Sequence, residues 1–227
     1  MAAEPQPPDQ APGAPHPRET MTLRGHGAAE AAFLRAWAQD RLHHAWLIRG
    51  PRGVGKATLA YRIARARLAH PGAAPESLAV DPEHPAARQV AAGAHPGLFV
   101  LKRQLDKKGD RWRQEIGVAE ARKLKDFFQF SAAHGGWRVV VVDAADEMTR
   151  EAANAILKLL EEPPARALLL LAAHAAGRLP PTIRSRCRTL DLAPLGPEDL
   201  AAALADAGTD AGADAADAAA LATLAGG

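Results

Sequence analysis

The amino-acid sequence predicts an α/β fold of three layers, a parallel sheet with helices on both of its faces. Three observations point there. Short aliphatic runs recur along the chain and alternate with stretches of helical periodicity, the pattern that successive βαβ units leave in a sequence. The strongest run, Val139-Val140-Val141-Val142, is uniformly β-branched and is expected to be covered on both faces, as strands of parallel sheets are. One strand-to-helix junction is a glycine-rich loop ending in lysine, Gly50-Pro51-Arg52-Gly53-Val54-Gly55-Lys56.

Residues 1–18 are rich in Pro, Ala and Gln, and hold too few large apolar groups to offset the entropy of ordering them. A disordered tail is expected. Ala31, Phe33, Leu34 and Trp37 fall at helical spacing and predict a helix over 29–39, followed by a buried strand at Ala45–Ile48. Residues 57–68 predict an amphipathic helix with Leu59, Ile63 and Ala66 on one face and Arg62, Arg65 and Arg67 largely off it. From Ala69 to Pro96 the prolines at 71, 75, 82 and 85 break every pattern and predict loop.

Leu98–Leu101 reads as a strand, Lys102–Arg113 as a polar, basic segment that is equally well explained as a DNA contact or as a solvated hairpin, and 117–128 as a helix through Val118, Ala121, Leu124 and Phe128. Thr149 is the expected N-cap of a helix that runs to Leu160, turns Ala152, Ile156, Leu159 and Leu160 inward, and stops at Pro163-Pro164. Leu168–Leu171 and 188–192 predict two more strands. Pro197–Asp206 predicts a helix that opens a small second domain.

Composition narrows the function classes. One cysteine, Cys187, excludes an internal disulfide framework and a cysteine-built zinc site, and points to the cytoplasm. The first residues lack the apolar centre of a secretion signal, and no run of 18 apolar residues occurs, so no membrane partner is expected. Net charge is +2, yet seven acidic residues and no Lys or Arg follow Arg188, which leaves the preceding part basic. That asymmetry permits nucleic-acid contact without requiring it.

Gly50 to Lys56 matches Gly-x4-Gly-Lys, the first part of the P-loop, in the required strand-to-helix context. Its glycines let backbone amides curl around a phosphate, the helix N-terminus adds partial positive charge, and the lysine reaches the outer phosphates. The next residue should carry the hydroxyl that ligates magnesium. Here it is Ala57, and Thr58, one residue on, is rotated by about 100° around the helix. Asp143 ends the Val139–Val142 strand as the acidic residue expected near magnesium, but its follower, where hydrolysing enzymes commonly place a glutamate, is Ala144. Nucleotide binding without hydrolysis is the expectation, through Gly50, Gly53, Gly55, Lys56, Thr58 and Asp143 as a degenerate site. Asp146 and Glu147 are read as charging the approach to the Thr149 helix, and His43 and His44 as structural.

Several motifs fall in order and spacing over His43–Leu192: His43-His44-Ala45-Trp46-Leu47, Gly55-Lys56-Ala57-Thr58-Leu59-Ala60, Gly135-Gly136-Trp137-Arg138, Asp143 to Met148, Asn154 to Pro164, and Leu179 to Cys187 with its Ser185-Arg186-Cys187 triplet. The chain thereby resembles the delta prime family of bacterial DNA polymerase III clamp-loader subunits, of the AAA+ P-loop class. The resemblance implies a tail over 1–18, an AAA+ domain over 19–192, and the start of a helical lid over 193–227, with the family's collar domain absent. It implies a non-hydrolysing stator that contributes Arg186 as an arginine finger in trans to an ATPase neighbour.

The partners so implied are gamma/tau-type and delta-type subunits, with the sliding clamp and primed DNA reached through the complex. The collective activity is that of a DNA-directed DNA polymerase, a nucleotidyltransferase of DNA replication. No cofactor is required by this reading, ATP or ADP being bound at most without hydrolysis. Many members carry a four-cysteine zinc module after the P-loop helix, but 69–95 has no cysteine, so no zinc is expected. The alternatives are an active clamp-loader ATPase subunit and a free-standing P-loop kinase, which would need charge-stabilising arginines of its own.

Overall fold

Strands form where the aliphatic runs predict them. The computed structural model describes residues 7–10, 14–130 and 136–206. Its strands are β1 (Ala45–Arg49), β2 (Leu98–Lys102), β3 (Arg138–Asp143), β4 (Ala167–Ala173) and β5 (Arg188–Asp191). All pair in parallel, in the order β2-β3-β4-β1-β5. The two-residue period of a strand explains why every residue of the valine run is buried. Val139 and Val141 enter the core on one face of the sheet, and Val140 and Val142 enter the core on the other.

On the first face lie α1 (Gly27–Ala38) and α2 (Lys56–Ala69), which pack Phe33, Trp37, Leu59 and Ile63 against Trp46, Ile48, Leu168 and Leu170. On the second lie α4 (Val118–Phe130), α5 (Arg150–Glu161) and α6 (Pro181–Arg184), bringing Leu124, Phe128, Ile156, Leu160 and Ile183 against Leu47, Leu169 and Leu171. Thr149 caps α5 as predicted, its side-chain oxygen accepting from the Ala152 amide at 3.1 Å. Leu159 is half-buried, while Ala153 takes an inward position beside Ala152. The short α3 (Pro85–Ala91) packs on α2, and α7 (Pro197–Asp206) ends the described chain. The basic segment forms a hairpin bridged at Leu105 and Trp112.

Three expectations are corrected. The stretch 69–96 is not all loop, because Pro85 occupies the first turn of α3, where a missing N–H costs nothing, and the His84 ring accepts from the Ala86 amide at 3.1 Å. Second, α2 has no wet arginine face: Arg62, Arg65 and Arg67 are all buried. Third, part of the presumed tail is placed on the domain. Arg65 donates to the carbonyls of Arg18 and Thr20 at 2.7 and 2.5 Å, and Arg62 pairs with Glu30 at 2.6 Å and donates to the Met21 carbonyl. The rest of the expected tail, 1–6 and 11–13, lies outside the described residues, as do Gly135 and 207–227 of the expected lid.

Arg67 illustrates how the terminal nitrogens of a buried guanidinium are used. It donates to the carbonyls of His70, Pro71 and Gly72 at 3.0, 2.7 and 3.2 Å. Its plane lies between Trp37 and Trp137, 4.3 and 3.7 Å from the ring centroids, so cation–π attraction acts on both sides. The start of the 70–84 stretch is thus tied to α1, α2 and the entry of β3 by one side chain. Arg67→Ala is expected to lower the unfolding free energy by about 2–4 kcal/mol, and Arg67→Lys to recover little of it, because an ammonium lacks the planar fork. Urea titration of the three proteins checks this.

Candidate functional site

The strand order determines what meets at the C-terminal edge of the sheet, where ligands of open α/β folds bind. β4 is inserted between β1 and β3, so the residue following it, His174, stands between the phosphate loop after β1 and Asp143 at the end of β3. The loop follows β1 tightly. At Gly50, φ is +156°, and an added Cβ would lie 2.3 Å from the Leu192 carbonyl oxygen, so no other residue fits. Gly55 has φ of +99° and forms the N-cap of α2. The buried His26 ring, at the start of α1, donates from Nε2 to the Val54 carbonyl at 2.7 Å and steadies the loop from outside.

Lys56 is buried and directs its ammonium back onto its own loop, donating to the Gly50 and Pro51 carbonyls at 2.8 and 2.5 Å. Loss of water pushes its pKa down to about 8, against the opposing pull of Asp143 and Asp146. Ala57 and Thr58 both line the cavity beside the loop, Ala57 with no oxygen to offer. Burial, with added repulsion from Asp9 and Glu147, raises the Asp143 carboxyl to about 7, although Lys56 and Lys102 oppose the shift. The following Ala144 is buried and carries no base.

Asp146 and Glu147 do not serve mainly as charge for the approach to α5. The Asp146 carboxylate turns to the neighbouring strand and accepts from the amides of His174 and Ala175, both at 2.9 Å. Glu147 pairs with Arg52 of the phosphate loop at 3.1 Å and with Arg103 at 2.9 Å. His174 was not singled out by the sequence, since a lone histidine after an aliphatic run carries no motif. Its Nδ1 is buried without a hydrogen-bond partner among the described residues, and burial, followed by the charges of Lys56, Arg52 and Arg103, lowers its pKa to about 4, with Asp146 opposing.

Loop, strand ends and α7 enclose a cavity of about 580 Å³, to which Gly53, Gly55, Lys56, Thr58, Asp143 and His174 all contribute. The structure therefore brings together most of the residues that the sequence assigned to a nucleotide. Among the described residues, no group of three or more His, Cys, Asp or Glu side chains is gathered in a way that could hold a metal ion. Nor is any helix among them long and apolar enough to cross a membrane.

A family model for the DNA polymerase III delta subunit matches residues 25–196, which include the phosphate loop, Asp143, His174 and Arg186. The chain belongs to the bacterial DNA polymerase III delta prime/clamp-loader family. It is 41% identical over 144 residues to DNA polymerase III subunit delta' of Pseudomonas aeruginosa, covering 63% of this chain and 41% of that protein. With the Escherichia coli delta' subunit it shares 35% over 162 residues, or 71% of this chain and 46% of that one. The tau subunit of Salmonella typhimurium is 32% identical over 184 residues, 81% of this chain and 27% of its own length. The match thus spans less than half of each of these relatives. A DNA polymerase III gamma subunit-related protein from Thermotoga maritima superposes with a TM-score of 0.44 and 20% identity over 70% of this chain and 45% of its own.

Arg186, the remaining residue singled out in the family's motifs, is not with the others. It lies in the turn between α6 and β5, and Arg188 pairs with Trp46 near the start of β1. Arg186 is therefore at the N-terminal edge of the sheet, and the phosphate loop is at the C-terminal edge, about 13 Å or more away along β1. Its guanidinium is partly exposed, pairs with Glu161 at 2.9 Å and donates to the Thr182 carbonyl at 3.0 Å. The adjoining Cys187 thiol is pushed up to about 12 by burial and stays protonated. His44, at the same edge, bonds the Leu160 carbonyl at 2.9 Å, a structural role as expected.

Asp143 yields a test with a defined sign. Its folded pKa lies above the ordinary value, so the stability it contributes as a neutral acid is present at low pH and is lost as pH rises through about 7. Asp143→Asn, which stays neutral, is expected to stabilise the protein by about 1–3 kcal/mol at pH 8.5 and to leave it nearly unchanged at pH 4. Thermal unfolding at the two pH values measures the difference.

Proposed function

We propose that this chain is a non-hydrolysing, delta prime-type stator of a clamp loader, which lends Arg186 to the nucleotide of a neighbouring ATPase subunit during loading of the sliding clamp. The observation that carries the reading is the separation of parts. The chain's own pocket lacks a magnesium hydroxyl at Ala57 and a base at Ala144, whereas its partly exposed motif arginine lies at the opposite edge of the sheet. Phosphoryl transfer depends on positioning and on stabilising charge, so a pocket without either group is a poor catalyst, while a guanidinium held at the surface by Glu161 can serve another site. The partners in this reading are gamma/tau-type and delta-type subunits, with clamp and primed DNA engaged through the complex. It needs no zinc and no cofactor of its own.

The likeness to tau and gamma subunits favours a second reading, an active ATPase subunit of the same complex. Ala57 and Ala144 oppose it. A free-standing kinase is opposed by the distance between Arg186 and the chain's own phosphate loop.

The purified chain is expected to show no magnesium-dependent ATP hydrolysis above background. Turnover that disappears in Lys56→Ala would establish the second reading. In a reconstituted complex, Arg186→Ala is expected to slow hydrolysis at the site it faces by about 10³–10⁵-fold, while Lys56→Ala leaves that rate unchanged. Unaltered partner hydrolysis in Arg186→Ala would exclude the trans role.

A further inference from the structure

The segment ahead of α1 does more than cover the arginines of α2. Residues 7–10 and 14–24 cross the mouth of the phosphate-loop cavity and contribute Pro8, Asp9, Gln10, Thr22 and Leu23 to its lining. The Asp9 side chain is only 1% exposed, and its carboxylate accepts from Lys102 Nζ at 2.9 and 3.0 Å and from the His16 ring at 3.1 Å. Lys102 ends β2 directly beside Asp143 in the parallel register. Asp9 therefore stands at the C-terminal ends of the strands, close enough to Asp143 for its charge to help raise that carboxyl.

Both ends of the segment are fastened. Towards the sheet, His16 is buried, and Arg65 holds the Arg18 and Thr20 carbonyls. Towards α7, Arg24 makes a two-bonded pair with Asp206 at 2.8 and 3.1 Å, and Thr22 Oγ1 donates to the same carboxylate at 3.1 Å. The same cavity holds groups suited to phosphate: the Lys56 ammonium, the loop amides and the Nδ1 of His174, which has no hydrogen-bond partner among the described residues. Asp9 lines the same cavity as Lys56, so a phosphate entering beside the loop would bring two anions into one space, which repulsion opposes.

We propose that residues 7–10 and 14–24 form an intramolecular strap that occupies the cavity beside the phosphate loop, and that a nucleoside di- or triphosphate enters only after Asp9 leaves Lys102 and His16. Apparent affinity then equals the intrinsic affinity scaled by the fraction of molecules with the strap released. The inference rests on the loop retaining affinity for phosphate, and is independent of Arg186.

The test titrates the chain and its Asp9→Ala variant with N-methylanthraniloyl-ADP, with Asp9→Ala/Lys56→Ala as control. Asp9→Ala is expected to bind at least about 10-fold more tightly than the unaltered chain, and the double variant to lose the gain. Equal affinity in the two single proteins, or binding in neither, overturns the strap. Should Asp9→Ala fail to fold, hydrogen exchange on the unaltered protein decides. Saturating ADP must speed exchange at the amides of 16–20, and unchanged exchange refutes the proposal. Failure here leaves the trans role standing, because that role is read on a neighbouring subunit's hydrolysis.

Discussion

The site depends on one carboxylate that joins the ends of two strands. Asp146 follows β3 but spends its oxygens on the amides of His174 and Ala175 after β4. Those amides point out of the sheet where the ladder has ended, and a charged acceptor satisfies both with bonds stronger than neutral ones. Since β4 lies between β1 and β3, this clamp sets the spacing between the phosphate loop and Asp143. Glu147, one residue on, carries the same connection to Arg52 and Arg103.

Most of the fold was legible because it is written in periodicity. β1 to β4 are aliphatic runs, α1, α4 and α5 carry their apolar residues at helical spacing, and Thr149 signals its cap by residue type alone. What escaped the sequence is what other segments decide. Arg62, Arg65 and Arg67 look like a solvent face until the carbonyls of Arg18, Thr20, Met21 and 70–72 are seen to meet them. Residues 7–10 and 14–18 are too polar to order themselves, yet the buried Arg65 of α2 and the half-buried Lys102 supply cations that hold them. Proline was counted as a breaker at 85, where its position in a first turn makes it a starter.

The candidate site divides the same way. Gly50, Gly55 and Lys56 announce themselves by a spacing that backbone geometry requires, and their places agree with that spacing. His174 and Asp9 belong to no motif. They reach the cavity only through strand order in one case and a long-range ion pair in the other, and neither is encoded by neighbouring residues. The separation of Arg186 from the phosphate loop is likewise a property of parallel strands: a turn entering β5 must emerge at the edge opposite to a turn leaving β1.

The strand order also bears on how the chain acquires its shape. Leu47 in β1 pairs with Leu171 in β4 and with Thr189 in β5, partners more than a hundred residues further along. A chain emerging from the ribosome at about 5–20 residues per second exposes β1 for several seconds before either neighbour exists. Closing so long a loop is entropically slow, which makes the centre of this sheet a late event. β2 and β3 can pair first, and the phosphate loop, though encoded early, takes its form only when the far end of the domain has been synthesised.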